Sequence, residues 1–189
     1  LHRRAETLAA ALRARGVASG DRVAIMLPNL PQTVVAYWAV LKAGAVAVMV
    51  NPLSMEHELT HQIPDAGCRL IITLDLFWPK IEPLWDRLGL AQAVLTTIPE
   101  ALSFPMDWLA RFKLWKEGKR ASVPYDGQRI VRFGDLLRGK DRYSAPNVLP
   151  NTDLALLQYT GGTTGTAKGC MISHANLVAN TEQIRAILF

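Results

Sequence analysis

A segment rich in glycine and threonine, with a single lysine, is the part of this sequence best suited to chemistry. It runs Tyr159-Thr160-Gly161-Gly162-Thr163-Thr164-Gly165-Thr166-Ala167-Lys168-Gly169. Glycines let backbone N–H groups approach an anion without interference from a Cβ atom. Threonine hydroxyls add hydrogen bonds, and Lys168 supplies a mobile positive charge that suits a phosphate. The composition therefore predicts a phosphate-binding loop, which we call the phosphate loop (residues 160–169).

Two common nucleotide-binding patterns do not fit this segment. A Walker loop places Gly-Lys-Ser/Thr after a glycine and four further residues, but Lys168 follows Ala167 and precedes Gly169. The pattern Gly-x-Gly-x-x-Gly of dinucleotide-binding folds occurs nowhere in the sequence. A flexible turn of an ordinary hairpin is the remaining alternative. Hairpin turns usually contain two to five residues, so the length of this segment favours a functional loop.

The residues around the loop predict how it is held. Apolar residues 154–159 predict a buried strand that enters the loop, and residues 169–172 predict a strand that leaves it. Ser173 is expected to cap a helix that continues through Leu177, Ile184 and Leu188. The loop is therefore expected to join two strands.

The loop resembles a motif of the acyl-adenylate-forming superfamily, which contains acyl-CoA synthetases, luciferases and peptide-synthetase adenylation domains. That motif commonly runs Tyr-Thr-Ser-Gly-Thr-Thr-Gly-x-Pro-Lys-Gly, whereas this sequence has Gly161 in place of Ser and Ala167 in place of Pro. The Thr-Gly-Gly-Thr-Thr-Gly form resembles bacterial long-chain fatty acyl-CoA ligases. Further similar segments are Gly20-Asp21-Arg22-Val23-Ala24, Leu41-Lys42-Ala43-Gly44-Ala45 and Val50-Asn51-Pro52.

The resemblance implies an ATP-dependent fatty acyl-CoA synthetase, an acid–thiol ligase that forms acyl-AMP and transfers the acyl group to CoA. ATP, Mg²⁺ and the cosubstrate CoA are the implied cofactors, and a fatty acid or other carboxylate is the implied substrate. Lys168 would be the catalytic residue, by positioning the β- and γ-phosphates; no general acid or base can be named. The implied nucleotide-binding residues are Thr160, Gly161, Gly162, Thr163, Thr164, Gly165, Lys168 and Gly169.

The same resemblance makes this chain a fragment. The sequence begins without Met and ends at Phe189 inside a predicted helix. The adenine-binding segment, the magnesium-binding glutamate and the C-terminal lysine of the superfamily are expected beyond Phe189, so the fragment alone is expected to be inactive. The alternative functions are another adenylate-forming ligase, such as an aryl or short-chain acyl-CoA synthetase or an adenylation domain, and a non-catalytic phosphate-binding or membrane-surface module.

Hydrophobic runs predict an α/β fold, a mostly parallel sheet with helices on both faces, as part of a large N-terminal domain. Strands are predicted at residues 22–27, 45–50, 69–74 and 93–97. Helices are predicted to alternate with them at residues 2–15, 31–42 and 76–88, and a further helix is predicted to start after its cap at Ser54. Residues 1–97 form this alternating region. Residues 98–150 are predicted to be an irregular connection with one amphipathic helix, and residues 151–189 the phosphate-loop hairpin with its following helix.

The amphipathic helix, predicted over residues 105–119, places Trp108, Leu109, Phe112 and Trp115 on one stripe with cationic residues around it. Such a helix can lie on an anionic membrane, but a stripe of this kind more often packs on its own domain, which is the favoured prediction. The protein is expected to be cytoplasmic, and the membrane alternative would place it peripherally on the inner membrane face. A homodimer is a further hypothesis.

Composition argues against other classes of function. The net charge is +5 and the pI about 9.5, but no run of five basic residues occurs, which argues against nucleic acid as a partner. Cys68 and Cys170 lie far apart and are predicted to be free thiols. His57 and His61 are four residues apart on a predicted helix, a spacing that suits a metal, but an ordinary helix is favoured because no third ligand accompanies them.

Overall fold

The structure is a computed structural model that describes residues 1–102, 105–116, 122–139, 141–160 and 167–188. The strands among these residues are β1 (Arg22–Met26), β2 (Val46–Met49), β3 (Leu70–Leu74), β4 (Gln92–Thr96), β5 (Ile130–Arg132), β6 (Leu154–Thr160) and β7 (Lys168–Ser173). The α-helices are α1 (His2–Ala14), α2 (Pro31–Lys42), α3 (Glu56–Asp65), α4 (Trp78–Ile81), α5 (Met106–Lys116), α6 (Phe133–Leu136) and α7 (His174–Leu188). No helix of the described residues has the length and apolar character needed to cross a membrane.

The seven strands of the described residues form one sheet in the order β5-β4-β3-β1-β2-β6-β7. Every neighbouring pair is parallel except β6 and β7, which form an antiparallel pair. Parallel neighbours need a crossover connection, and the helices between successive strands supply it. The expected α/β fold with a mostly parallel sheet is therefore confirmed.

The hydrophobic core lies in two layers, one on each face of the sheet. Ile25 and Ile72 are paired across β1 and β3 and belong to the layer covered by α1, α2 and α6. Ala24 and Ile71, the preceding pair, face the opposite layer, which α3 and α4 cover. Successive strand residues point to opposite faces, so a strand buried on both sides is apolar throughout. This explains the unbroken hydrophobic runs of the sequence.

Some predicted elements differ from those in the structure. The helix expected over residues 76–88 is instead a 3₁₀ turn (Asp75–Phe77), the single turn α4 and a second 3₁₀ turn (Glu82–Leu84). Pro79 and Pro83 explain the break, because each lacks an N–H group for a helical hydrogen bond. Strand β5 was not predicted, since it is three residues long and lies inside the region expected to be irregular.

The cap of α3 was also predicted wrongly. Met55, rather than Ser54, is the N-cap residue of this helix. Its N–H donates to Oε2 of Glu58 at 2.6 Å, so the acidic side chain satisfies one backbone group at the helix start. Ser54 is buried and its carbonyl oxygen accepts a hydrogen bond from Lys80. Pro64 lies inside α3, one residue before its last residue.

The aromatic stripe of α5 is exposed. Trp108 and Trp115 are 60% and 62% exposed, and Phe112 lies between them. The Phe112 ring centroid is 5.9 Å from that of Trp108 and 5.8 Å from that of Trp115, so Phe112 contacts both tryptophan rings. The favoured prediction that this stripe packs on its own domain is therefore wrong for the described residues. Residues 117–119, the end of the predicted helix, lie outside them.

Candidate functional site

The phosphate loop begins at the carboxyl edge of the parallel sheet. Strand β6 runs parallel to β2 and ends at Thr160, so the chain leaves the sheet where the other parallel strands also end. Ligands of open α/β sheets bind outside the carboxyl ends of the strands. The position of the loop therefore agrees with a role in ligand binding.

Antiparallel pairing of β6 with β7 brings the two ends of the loop together. Thr160 lies opposite Lys168, and Tyr159 lies opposite Gly169. The side chains of Thr160 and Lys168 are both exposed, so a hydroxyl group and a positive charge are available to solvent at this edge. Of the predicted site residues, these two and Gly169 are described. The other five, Gly161, Gly162, Thr163, Thr164 and Gly165, lie outside the described residues.

Gly169 is the close neighbour of an aromatic ring. A Cβ atom at this position would lie 3.1 Å from Cζ of Tyr159, closer than ordinary van der Waals contact. A side chain at residue 169 would therefore force the Tyr159 ring to shift by a few tenths of an ångström. The match of Gly169 to the superfamily motif thus has a local structural reason, which is separate from any contact with phosphate.

The hydroxyl group of Tyr159 donates a hydrogen bond to Oδ2 of Asp65, the last residue of α3, at 2.5 Å. Partial burial of the ring raises the pKa of Tyr159, and the hydrogen bond to Asp65 raises it further. The phenol therefore stays neutral and keeps its donor proton across the physiological pH range. A hydrogen bond to an ionised carboxylate is among the stronger kinds, so it fixes the end of β6 to α3.

A second residue of α3 contacts the other side of the loop. Nε2 of His61 lies 3.0 Å from the carbonyl oxygen of Ala167, the residue just before β7. A carbonyl oxygen can only accept, so Nε2 carries the proton and donates it. The rings of His61 and Tyr159 also meet edge to face, with centroids 6.4 Å apart and an interplanar angle of 86°. Helix α3 therefore contacts the end of β6 and the residue that directly precedes β7.

Sequence reasoning missed the roles of His61 and Asp65. These residues are 106 and 94 positions away from their partners along the chain, and no local pattern signals such contacts. From the sequence, the spacing of His57 and His61 indicates only the alternative of a metal site. The part of the chain that the structure describes contains no group of three or more His, Cys, Asp or Glu residues that could hold a metal ion.

The helix after β7 is capped as predicted. Oγ of Ser173 accepts a hydrogen bond from the N–H of Asn176 at 3.2 Å, and Oδ1 of Asn176 accepts one from the N–H of Ser173 at 2.9 Å. Helix α7 starts directly after Ser173. This reciprocal pair satisfies backbone groups at the helix start. The turn from β7 into α7 is thereby defined by local contacts.

Both cysteines are free. Cys68 is buried beside β3, and burial raises the pKa of its thiol to about 12, although the nearby Arg22 guanidinium acts in the opposite direction. The thiol is therefore protonated at neutral pH and is a poor nucleophile. Cys170 is exposed on β7, two residues after Lys168. Both observations agree with the predicted reduced state and assign neither residue to the site.

Comparisons with known proteins extend these observations. The sequence model described as "AMP-binding enzyme" matches residues 1–188. A long-chain-fatty-acid–CoA ligase of Bacillus subtilis (strain 168) is 41% identical over 185 residues, which are 96% of this chain and 32% of that protein. The protein of the same name from Escherichia coli O157:H7 is 40% identical over 173 residues, which cover 90% of this chain and 30% of that protein. The chain thus spans about a third of the length of these relatives.

Solved structures share the fold. The long-chain-fatty-acid-CoA ligase FadD1 of Archaeoglobus fulgidus superposes with a TM-score of 0.74 at 24% identity, covering 96% of this chain and 30% of that one. ATP-bound MatB of Rhodopseudomonas palustris superposes with a TM-score of 0.70 at 27% identity and the same coverage of both chains. The anthranilate CoA ligase AuaEII in complex with anthranoyl-AMP gives a TM-score of 0.75 at 23% identity, covering 95% of this chain and 30% of that one.

Proposed function

This chain belongs to the AMP-binding enzyme family, and we propose that it is part of an ATP-dependent fatty acyl-CoA synthetase, an acid–thiol ligase. In the first step of the proposed reaction, a fatty-acid carboxylate attacks the α-phosphate of ATP and pyrophosphate leaves. In the second step, the thiol of CoA attacks the acyl carbon and AMP leaves. The observation that best supports this proposal is the pairing of exposed Thr160 and Lys168 at the two ends of the phosphate loop.

The main physical problem of the first step is charge, because an anionic carboxylate must approach a polyanionic nucleotide. Lys168 would offset part of the charge that develops on the departing pyrophosphate. The hydroxyl of Thr160 would donate a hydrogen bond to a phosphate oxygen, and the N–H groups of residues 161–165 would complete the binding site. Their proposed task is binding and alignment, not proton transfer.

Mg²⁺ is part of the proposal, although the described residues contain no group of three or more His, Cys, Asp or Glu residues that could hold a metal ion. Mg²⁺ commonly reaches proteins already bound to substrate phosphates and uses only one or two protein carboxylates. We therefore propose that it enters with ATP, and we assign no residue of this chain as its ligand.

Pyrophosphate exchange tests the proposed function. We expect the complete protein to incorporate labelled pyrophosphate into ATP only when a long-chain fatty acid is present. The 189-residue chain alone should give no exchange. Exchange that requires an aromatic or short-chain acid instead would support the alternative ligases. The absence of exchange with every carboxylate tested would contradict the proposal and favour a non-catalytic phosphate-binding module.

The exposed stripe of α5 supports a second, compatible role as a peripheral membrane contact. The exposed rings of Trp108 and Trp115 both contact that of Phe112, and Lys116 lies at the end of the same helix. Aromatic rings favour the membrane–water interface, and lysines favour anionic lipid. We propose that the protein is cytoplasmic and that α5 brings it to the inner face of the membrane, where its acyl substrates partition. A homodimer stays a prediction, which the mass of the complete protein in solution can check.

Replacing both Trp108 and Trp115 by serine should reduce binding of the complete protein to vesicles containing anionic lipid several-fold. The reason is that the substitutions remove the two aromatic rings proposed to enter the membrane–water interface. Co-sedimentation measures the bound fraction. Trp38→Ser is the matched control, since Trp38 is 47% exposed on α2 and lies outside the stripe. Equal binding by the double variant and the wild type would remove α5 from membrane contact.

A further inference from the structure

Helix α3 contacts the chain on both sides of the phosphate loop, and no residue of this helix has a place in the proposed reaction. We infer that His61 and Asp65 are positioning residues, which hold the two ends of the loop so that Lys168 and Thr160 face the phosphates of ATP. This inference rests on the proposed function, since it concerns how that site is aligned.

The contact of His61 bears on the direction of the Lys168 side chain. The carbonyl group of Ala167 and the N–H group of Lys168 belong to one planar peptide unit. A hydrogen bond of 3.0 Å from Nε2 of His61 to that carbonyl oxygen therefore restrains the rotation of the whole unit. The unit ends at the Cα atom of Lys168, so the restraint also limits the direction in which the lysine side chain leaves the backbone.

The contact of Asp65 acts on the opposite strand. Its carboxylate accepts the hydroxyl proton of Tyr159, the residue that directly precedes Thr160. Tyr159 in turn lies against Gly169, the residue that directly follows Lys168. Because the ring of His61 also meets that of Tyr159, the two contacts reinforce each other. His61 and Asp65 are four positions apart, so they lie on the same face of α3.

A positioning element must itself be rigid, and α3 meets this condition. Leu59 and Ile63 of this helix are completely buried in the layer of the core that also contains residues of β1 and β3. Glu58 closes the start of the helix through its bond to the N–H of Met55. The helix is thus held against the central strands. The hydrogen bonds of His61 and Asp65 therefore hold the two ends of the loop at a fixed position relative to the sheet.

A double-mutant cycle in the complete protein separates positioning from general stability. We expect His61→Leu to lower the rate of fatty-acid-dependent adenylation about tenfold at saturating fatty acid, because the donor to the Ala167 carbonyl is lost. His61→Gln should restore the rate to within about twofold, since its amide Nε2 can donate in a similar position. In a Lys168→Ala background, His61→Leu should cost less than about twofold, because the lysine that it positions is gone.

Two controls accompany the cycle. His57→Leu changes a histidine one turn earlier on α3 whose exposed side chain makes no hydrogen bond among the described residues, and it should leave the rate unchanged. Thermal unfolding of each variant checks the fold. A wild-type rate for His61→Leu would overturn the inference. So would an equal loss with and without Lys168, because that outcome means that His61 acts independently of the lysine.

The same four proteins of the cycle should also be compared for ATP affinity by titration calorimetry without fatty acid. We expect weaker ATP binding by His61→Leu than by the wild type, and a smaller difference when Lys168 is absent. If the wild-type protein binds ATP but shows no fatty-acid-dependent pyrophosphate exchange, only the proposed function is contradicted. The ATP affinities of the four proteins would still test the positioning role of His61. Equal ATP affinity of His61→Leu and the wild type would then overturn the inference.

Discussion

Replacing Lys168 by alanine in the complete protein should lower the rate of acyl-adenylate formation on the order of a hundredfold. The reason is that Lys168 is exposed at the carboxyl edge of the sheet, opposite Thr160, where its charge can stabilise the departing pyrophosphate. Removing one group that stabilises developing charge typically costs about 3 kcal/mol in activation free energy. Rapid-quench measurement of acyl-AMP at saturating ATP gives the rate directly.

Two further variants make that result specific. Lys168→Arg should stay impaired, because the planar guanidinium differs in shape and hydration from an ammonium group. Lys42→Ala should keep the wild-type rate. Lys42 is the last residue of α2, which returns from the carboxyl edge to the opposite edge of the sheet, and it pairs there with Glu6 at 3.4 Å. An unchanged rate for Lys168→Ala would remove this lysine from the mechanism.

Replacing Ile72 by alanine should lower the free energy of unfolding by about 2–5 kcal/mol. Ile72 is completely buried in β3, near the centre of the sheet, and lies between Ile25 on one neighbouring strand and Val94 on the other. Removing three of its carbon atoms leaves a cavity that surrounding β-strands cannot easily fill. Urea unfolding followed by circular dichroism measures the change.

A graded series tests the cavity explanation for Ile72. Ile72→Val removes a single carbon and should cost only about 0.5–1.5 kcal/mol. Val34→Ala removes two carbons from a side chain that is 45% exposed on α2, and it should change the free energy of unfolding by at most about 0.5 kcal/mol. If Ile72→Ala were no more costly than Val34→Ala, the two-layer core would not depend on the packing of β3.

The elements that could be predicted from sequence are those whose signals are local. Strands β1 to β4 are nearly continuous apolar runs, because both of their faces are buried. Pro31 marks the first residue of α2, a position that does not require an N–H group. The broken helix after β3 shows the limit of apolar periodicity, since Pro79 and Pro83 decide the backbone conformation there.

The phosphate loop could be predicted because its glycines, threonines and lysine are adjacent in sequence. The contacts of His61 and Asp65 could not, since they depend on how α3 packs against a hairpin about a hundred residues later. Strand β5 was missed for a related reason. Its apolar residues are only Ile130 and Val131, a run too short to indicate a strand, and pairing with β4 stabilises it.

The pairing of β2 with β6 has a consequence for the synthesis of this protein on the ribosome. Ala47 lies opposite Leu156, so the partner of β2 is synthesised long after β2 itself. At ordinary translation speeds, roughly a hundred residues take about 5–20 seconds. During that time β2, with the apolar sequence Val-Ala-Val-Met, presents unpaired backbone groups on one side. An open apolar edge of this kind can pair with strands of other chains, so the nascent chain is exposed to wrong association until β6 emerges.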